Sequence, residues 1–248
     1  MKRTVSLAHD VKGSGPLLVA IHGITENRGF WDRVPFAEHF RTVRVDLRGH
    51  GESPREDPFD PATLATDVHK LLDALGIREK PLLVGHSFGG VVATAYAARF
   101  PVRGVVNVDQ TLDVSPVPAG VAEALRGDGF EDFMTSMFGR VYGDLDPAIA
   151  AELGERRTLR QDVLLGAWAP LLTLDAERLA AWLDDLIAAP GPYPYLSLHG
   201  LPVSEEYATW LRERIPGALV ESTPVVTHYP HLADPKWFLG RLVDFDQR

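Results

Sequence analysis

Six short apolar runs, separated by stretches that include helical spacing, most narrowly limit what this chain can become. They are "LLVAI" (17–21), "TVRVDL" (42–47), "LLVG" (82–85), "VVNV" (105–108), "YLSL" (195–198) and "ALVES" (218–222). Unbroken apolar character over four or five residues suits strands buried on both faces. Between the runs, Leu64, Val68, Leu71, Leu72 and Leu75 recur at the spacing of one helix face, as do Tyr207, Trp210, Leu211 and Ile215. Strands alternating with amphipathic helices predict an α/β fold, a mostly parallel central sheet with helices on both faces. No internal repeat or low-complexity segment breaks the rhythm.

At 248 residues and 45% apolar content the chain can build one large core, and no Gly/Ser linker or charge block divides it. Its formal charge is -9, from 34 acidic and 25 basic residues, and the basic cluster Arg156, Arg157 and Arg160 sits beside acids. That balance argues against nucleic acid as a partner. With no cysteine, disulfides, thiolate nucleophiles and thiolate-held metals are excluded. The N-terminal "MKRTVSLAHD" has too few apolar residues for a signal segment, and no stretch approaches the length of a membrane span. The expectation is a soluble cytoplasmic protein acting on a small molecule, away from membranes; its oligomeric state is not legible.

In such a sheet, ligands bind beyond the carboxyl ends of the strands. Here those ends read His22-Gly23-Ile24, Arg48-Gly49-His50-Gly51, His86-Ser87, Asp109 and His199-Gly200. Any one of them could be an ordinary turn. Together they place histidine, serine and aspartate along one edge.

Gly85-His86-Ser87-Phe88-Gly89 follows a strand and precedes the helix-like segment from Gly90 to Phe100. This is the setting of a nucleophile elbow, in which a sharp strand-to-helix turn exposes a serine hydroxyl. Cβ atoms at Gly85 and Gly89 would crowd that turn, while Ser87 holds a strained backbone. The helix N-terminus beside it favours developing negative charge. The plainer alternative is that Ser87 caps the helix.

Beyond the elbow, "GSGPLLVAIHGITENRGFWDRV", "VRVDLRGHGES" and "VVTHYPHLADPKWF" follow in order over nearly the whole chain. In these motifs the sequence resembles the α/β-hydrolase superfamily. The resemblance implies that Ser87 is the nucleophile and His228 the base, a side chain able to take the serine proton near neutrality and return it. His231 is the competitor, resembling the second histidine of the H-x-P-H run. A metal held by both is a poor fit, because Pro230 lies between them and no third ligand suggests itself; no metal is expected. The oxyanion hole would be the backbone N–H groups of Ile24 and Phe88. Asp46, Arg48, Gly49 and Gly51 resemble the family's structural turn. Pro54 stands where a dinucleotide fingerprint needs its third glycine and no Walker sequence is present, so no cofactor is expected.

The triad's acid is where the chain departs from the pattern. The usual position, three residues after the glycine of "YLSLHG", is Val203. The imidazole still needs an anion to hold its tautomer. A variation in the superfamily carries the acid one strand earlier, which points to Asp109, directly after "VVNV". Glu205, Glu206 and Asp113 are the alternatives, and chain order does not choose among them.

About 80 residues between "VVNVDQ" and "PYLSLHG" interrupt the rhythm. The resemblance implies a helical cap, residues 112–190, inserted in a core of residues 1–111 and 191–248. Phe130, Phe133, Met134, Met137, Phe138 and Val141 follow helical spacing. That face could pack within the cap, or part of it, Met137 together with Trp168, could roof an apolar pocket. The expected activity is hydrolysis of a small, mainly apolar carboxylic ester or lactone through an acyl-enzyme. C–C bond hydrolysis, cofactor-free perhydrolysis, cyanohydrin cleavage and plain ligand binding remain as alternatives.

Overall fold

The computed structural model describes residues 6–248; residues 1–5, part of the N-terminal stretch read above, lie outside the described residues. Seven strands form one sheet: β1 (His9–Lys12), β2 (Leu17–Ile21), β3 (Arg41–Val45), β4 (Leu82–His86), β5 (Gly104–Val108), β6 (Tyr195–His199) and β7 (Leu219–Ser222). Their order is β1-β3-β2-β4-β5-β6-β7, with β1 antiparallel to β3 and every other pair parallel. All six apolar runs are strands. β1 had no such signal, because "HDVK" is a half-exposed edge strand that needs no apolar face on both sides.

Every residue of β2, β4, β5 and β6 is buried. Alternate side chains feed opposite layers. Val19, Ile21, Leu83 and Val105 face one core with Leu64, Val68 and Val92. Leu18, Ala20, Val84, Val106 and Leu198 face the other, against Trp31, Phe238 and Leu242. Each fully buried aliphatic side chain contributes about 1.5–3 kcal/mol, which fixes the register of strands with no polar face to offer water.

The first layer is covered by α1 (Pro61–Ala74) and α2 (Phe88–Ala97). α1 starts where Asp60 accepts a hydrogen bond from Thr63 N at 3.0 Å and Pro61 opens the first turn. It stops one residue earlier than its apolar spacing predicts: Leu75 is the C-cap and is exposed, with Gly76 at φ 70° turning the chain away. Between β5 and β6 lie α3 (Ala119–Arg126), α4 (Phe130–Val141), α5 (Pro147–Arg156), α6 (Gln161–Ala167), α7 (Ala169–Thr173) and α8 (Ala176–Ile187). On α4 only Phe130, Met134 and Phe138 are buried. α9 (Glu205–Arg214), α10 (Pro230–Ala233) and α11 (Pro235–Asp246) complete the chain. Among the described residues no helix is long and apolar enough to cross a membrane.

After β2 the chain moves outward to β3, then returns to β4 on the other side of β2. The strand order therefore reverses between β2 and β4, and a crevice opens at their carboxyl ends. His22-Gly23 and Ser87 stand on its two sides.

Candidate active site

Ser87 sits at φ 51° and ψ −125°, a conformation that costs a non-glycine residue about 1–3 kcal/mol. Two backbone bonds hold it there: Ser87 N donates to Val108 O at 2.8 Å, and Gly90 N donates to Ser87 O at 2.7 Å. The flanking glycines are needed for space. A Cβ on Gly85 would fall 2.1 Å from Gly89 O, and one on Gly89 would fall 2.4 Å from Ile21 O. Ser87 occupies the N-cap position of α2, yet its hydroxyl caps no amide. It is left for another use.

Asp109 leaves β5 with a positive φ of 54° and is buried. Its Oδ1 accepts hydrogen bonds from the Gly200 and Leu201 amides at 2.7 and 2.9 Å, and its Oδ2 accepts one from His228 Nδ1 at 2.6 Å. Burial alone would raise its pKa, but the histidine and the two amides outweigh burial, so the carboxyl stays below its ordinary range. An ionised Asp109 fixes the proton of His228 on Nδ1 and leaves Nε2 as an acceptor.

His228 is held by its backbone as well. Its N–H donates to Val141 O at 3.0 Å, and its carbonyl accepts from His86 Nε2 at 2.8 Å. Burial pushes the His228 pKa below the ordinary 6.5, and His86 pushes it the same way, against the pull of Asp109. His231 lies elsewhere: fully buried, both ring nitrogens without a partner among the described residues, packed on Trp31 and His86 at ring separations of 4.6 and 4.7 Å. Glu205, Glu206 and Asp113 are all exposed. Val203 is half-buried in the loop between β6 and α9.

The loop after β2 carries Ile24. His22 Nε2 accepts from Leu47 N at 3.0 Å and its Nδ1 donates to Gly23 O at 2.8 Å, which locks the start of the loop. Glu26 then closes a tight turn: its Oε2 accepts from Gly23 N at 2.7 Å, and its own N–H donates to Gly23 O at 3.2 Å. Thr25, at φ 65°, is clamped by Arg157 Nη1 on its hydroxyl at 2.8 Å and by Thr158 N on its carbonyl at 3.0 Å. Among the described residues the Ile24 N–H has no partner. The Phe88 N–H is the first of its helix and so lacks one within it.

Ile24, Ser87 and Phe88 open onto a cavity of about 110 Å³ whose wall includes Gln110, Trp168 and Trp182, and no charged residue. Trp168 is therefore placed with Ser87, whereas Met137 is not in this wall; it is partly buried on α4 against the main core. A larger cleft of about 530 Å³ runs over Arg48, Asp57 and Lys70, with none of the proposed site residues in its wall. The residues read as a structural turn form a polar knot. Asp46 accepts from Arg28 N and Glu52 N at 2.7 and 2.9 Å, a Cβ on Gly51 would fall 2.2 Å from its carboxylate, and Arg48 donates two hydrogen bonds to the Asp67 carboxylate at 2.7 and 2.9 Å.

The model of the alpha/beta hydrolase family matches residues 18–241. The chain belongs to the alpha/beta hydrolase family. Over 95% of its length it is 30% identical to a pimeloyl-[acyl-carrier protein] methyl ester esterase of Nitrosomonas europaea, covering 97% of that protein. A shorter match, 42% identical over 98 residues, is to an uncharacterized protein of Mycobacterium tuberculosis, of whose length it spans 28%. The enol-lactonase from Burkholderia xenovorans superposes with a TM-score of 0.79 at 20% identity, over 98% of this chain and 97% of that one; this likeness is one of fold.

In this alpha/beta hydrolase, three side chains around the site make contacts that the sequence did not reveal, although His86 was read at the sheet's carboxyl edge. Glu26 and His86 are buried against each other, with His86 Nδ1 3.0 Å from Glu26 Oε2. Arg157, leaving α5, lies 3.6 Å from Glu26 Oε1 and 3.7 Å over the Phe138 ring. Burial would raise the Glu26 pKa, but His86, Arg157 and the Gly23 amide outweigh it and hold the carboxyl well below its ordinary range. A glutamate within "HGITEN" gives no hint that it is enclosed, since glutamate is seldom fully buried.

Proposed function

We propose that this alpha/beta hydrolase cleaves a small, mainly apolar carboxylic ester or lactone through an acyl-enzyme formed on Ser87, with His228 as base and Asp109 as the triad's acid. The observation that carries the reading is the 2.6 Å bond between Asp109 and His228, which leaves His228 Nε2 free to take a proton. His86, the residue before Ser87, is bonded to the His228 carbonyl, so nucleophile and base ride on touching segments.

Ser87 Oγ attacks the carbonyl carbon and its proton passes to His228 Nε2. The carbonyl oxygen takes the electron pair and is stabilised by the N–H groups of Ile24 and Phe88. Collapse of this intermediate expels the alcohol oxygen, which leaves with the proton from His228; in a lactone it stays tethered to the acyl chain. Water then attacks the acyl-enzyme by the same steps, returning Ser87 and releasing the acid.

The cavity supports a short acyl group. Its 110 Å³ is less than the roughly 150 Å³ of an apolar cavity that takes up benzene. An uncharged wall gives an acyl-chain carboxylate no partner, and burying one unpaired is strongly unfavourable. In this reading residues 112–190 form a helical cap over a core of residues 1–111 and 191–248, and α6 to α8 supply the cavity's tryptophans. The esterase relative and the lactonase of like fold agree with the class of reaction.

The test is covalent labelling with a fluorophosphonate together with turnover of a panel of p-nitrophenyl esters and lactones. Wild type should be labelled on Ser87 and should hydrolyse short apolar acyl groups, and Ser87→Ala should lose both. Labelling that survives in Ser87→Ala would assign the nucleophile elsewhere; a protein that binds such esters without turnover would be a ligand-binding module.

A further inference from the structure

We propose that Glu26 and His86 form a buried charged pair, His86 donating from both ring nitrogens, that positions the oxyanion loop and the His228 segment against Ser87. The role in catalysis rests on the triad reading above; the pair itself rests on hydrogen-bond geometry alone.

Both partners of His86 are acceptors. The His228 carbonyl can only accept, at 2.8 Å from Nε2. Glu26 Oε2, at 3.0 Å from Nδ1, already receives the Gly23 amide at 2.7 Å. A neutral imidazole has one N–H and would leave one of these two contacts as a clash of lone pairs. Putting the missing proton on Glu26 is opposed by Arg157, whose guanidinium lies 3.6 Å from the other carboxylate oxygen. The arrangement that satisfies every contact is a carboxylate facing a doubly protonated ring. Both side chains are nearly inaccessible to solvent, so the charges are compensated by each other and by Arg157 rather than by water.

The consequence is mechanical. The same carboxylate oxygen holds Gly23 N, one residue before the Ile24 N–H, and the same imidazole, on the residue directly before Ser87, holds the carbonyl of His228. Three segments from β2, β4 and the loop after β7 are tied through two side chains. Neither side chain is placed to touch the reacting atoms; they act as positioning residues.

Glu26→Gln separates this role from simple packing. The amide keeps shape and one acceptor but withdraws the counter-charge, so His86 must give up one of its two donations. Misplacing one oxyanion donor should lower kcat and the rate of fluorophosphonate labelling by about 10- to 100-fold, with KM within about threefold because Glu26 is not itself in the cavity wall and the tryptophans that line it are unchanged. A Glu26→Gln protein that melts like wild type and keeps wild-type kcat would overturn the proposal. Since the variant could fail to fold, ¹⁵N spectra of the histidine rings in wild type at neutral pH give a second reading, with His86 assigned by comparison with His86→Gln. Two protonated ring nitrogens are expected for His86; one bare nitrogen overturns the pair. That spectrum does not depend on turnover, so a wild type whose Ser87 resists labelling would count against the serine-hydrolase reading and not against the pair.

Discussion

His228 Nδ1 donates to Asp109 Oδ2 at 2.6 Å across 119 residues of sequence. Asp109 follows β5, and the loop after the neighbouring β6 contributes no acid to the contact. It contributes amides instead: Gly200 and Leu201 N–H both point at Asp109 Oδ1. Parallel pairing of Val108 with Leu198 brings the ends of β5 and β6 side by side, so a carboxylate starting from either could reach the same histidine.

Asp109→Asn should therefore lose on the order of 10³- to 10⁴-fold in kcat, as expected when a triad acid becomes an amide and the histidine tautomer is no longer fixed. Glu205→Gln, altering an exposed side chain in the first turn of α9, should stay near wild type. Steady-state turnover of a p-nitrophenyl ester measures both. The reverse pattern would move the acid to the later strand.

The depressed pKa of His228 sets a direction for the pH profile. In the proposed mechanism His228 acts as base when neutral, and a lowered pKa keeps it neutral into more acidic solution. The acid limb of kcat/KM, which reports the free enzyme, should fall below the ordinary histidine value of 6.5. A limb above that value would mean that Asp109, rather than burial and His86, dominates the environment of the ring.

His231 should govern acid stability and not turnover. Burial holds His231 well below its ordinary pKa, lowers His50 to about 3 and lowers His199 to about 4. In the unfolded chain these rings take up protons near pH 6.5. Between that value and the folded pKa the unfolded state binds more protons, so their contribution to stability is full above pH 6.5 and lost as pH falls toward the folded values. The thermal midpoint should hold from neutral pH upward and drop below it. His231→Phe, which keeps an aromatic ring between Trp31 and Phe238, should make that drop shallower while retaining activity. Loss of turnover in a folded His231→Phe would make it the stronger candidate for the base.

The sheet was legible because burial on both faces favours mostly apolar runs: β2 is apolar throughout, and β4, β5 and β6 are apolar apart from His86, Asn107, Ser197 and His199, which are buried as well. β1 escaped because an exposed edge strand has no such requirement. Ser87 stood out because its turn demands glycine on both sides, a steric need written directly into residue type. The pairing of Glu26, His86 and Arg157 was hidden for the opposite reason. Their roles come from burial and from contacts between segments 60 and more residues apart, and polar residue types carry no mark of either. Met137 shows the limit of helical spacing: the pattern predicts α4 correctly, but a helix has several partly buried flanks, and the pattern does not say which one meets the cavity.

The cavity wall gives the last prediction. Trp168, between α6 and α7, and Trp182 on α8 line it with Ser87, while Met137 does not. In wild type, kcat/KM should rise with acyl length by up to about fourfold per carbon, the equivalent of roughly 0.8 kcal/mol per buried methylene. It should then fall once the chain outgrows a space of about 110 Å³, because a close-packed wall of side chains yields little. Replacing Trp182 by alanine removes an indole from that wall and should move the optimum to longer chains, with Trp168→Ala acting in the same direction. Met137→Ala should leave the optimum where it is, since the side chain packs against the core and is not in the cavity wall. A chain-length profile measured on p-nitrophenyl acetate through decanoate separates these cases. An optimum that shifts in Met137→Ala and stays fixed in both tryptophan variants would place the acyl group along α4 instead, and this cavity would no longer be the acyl site.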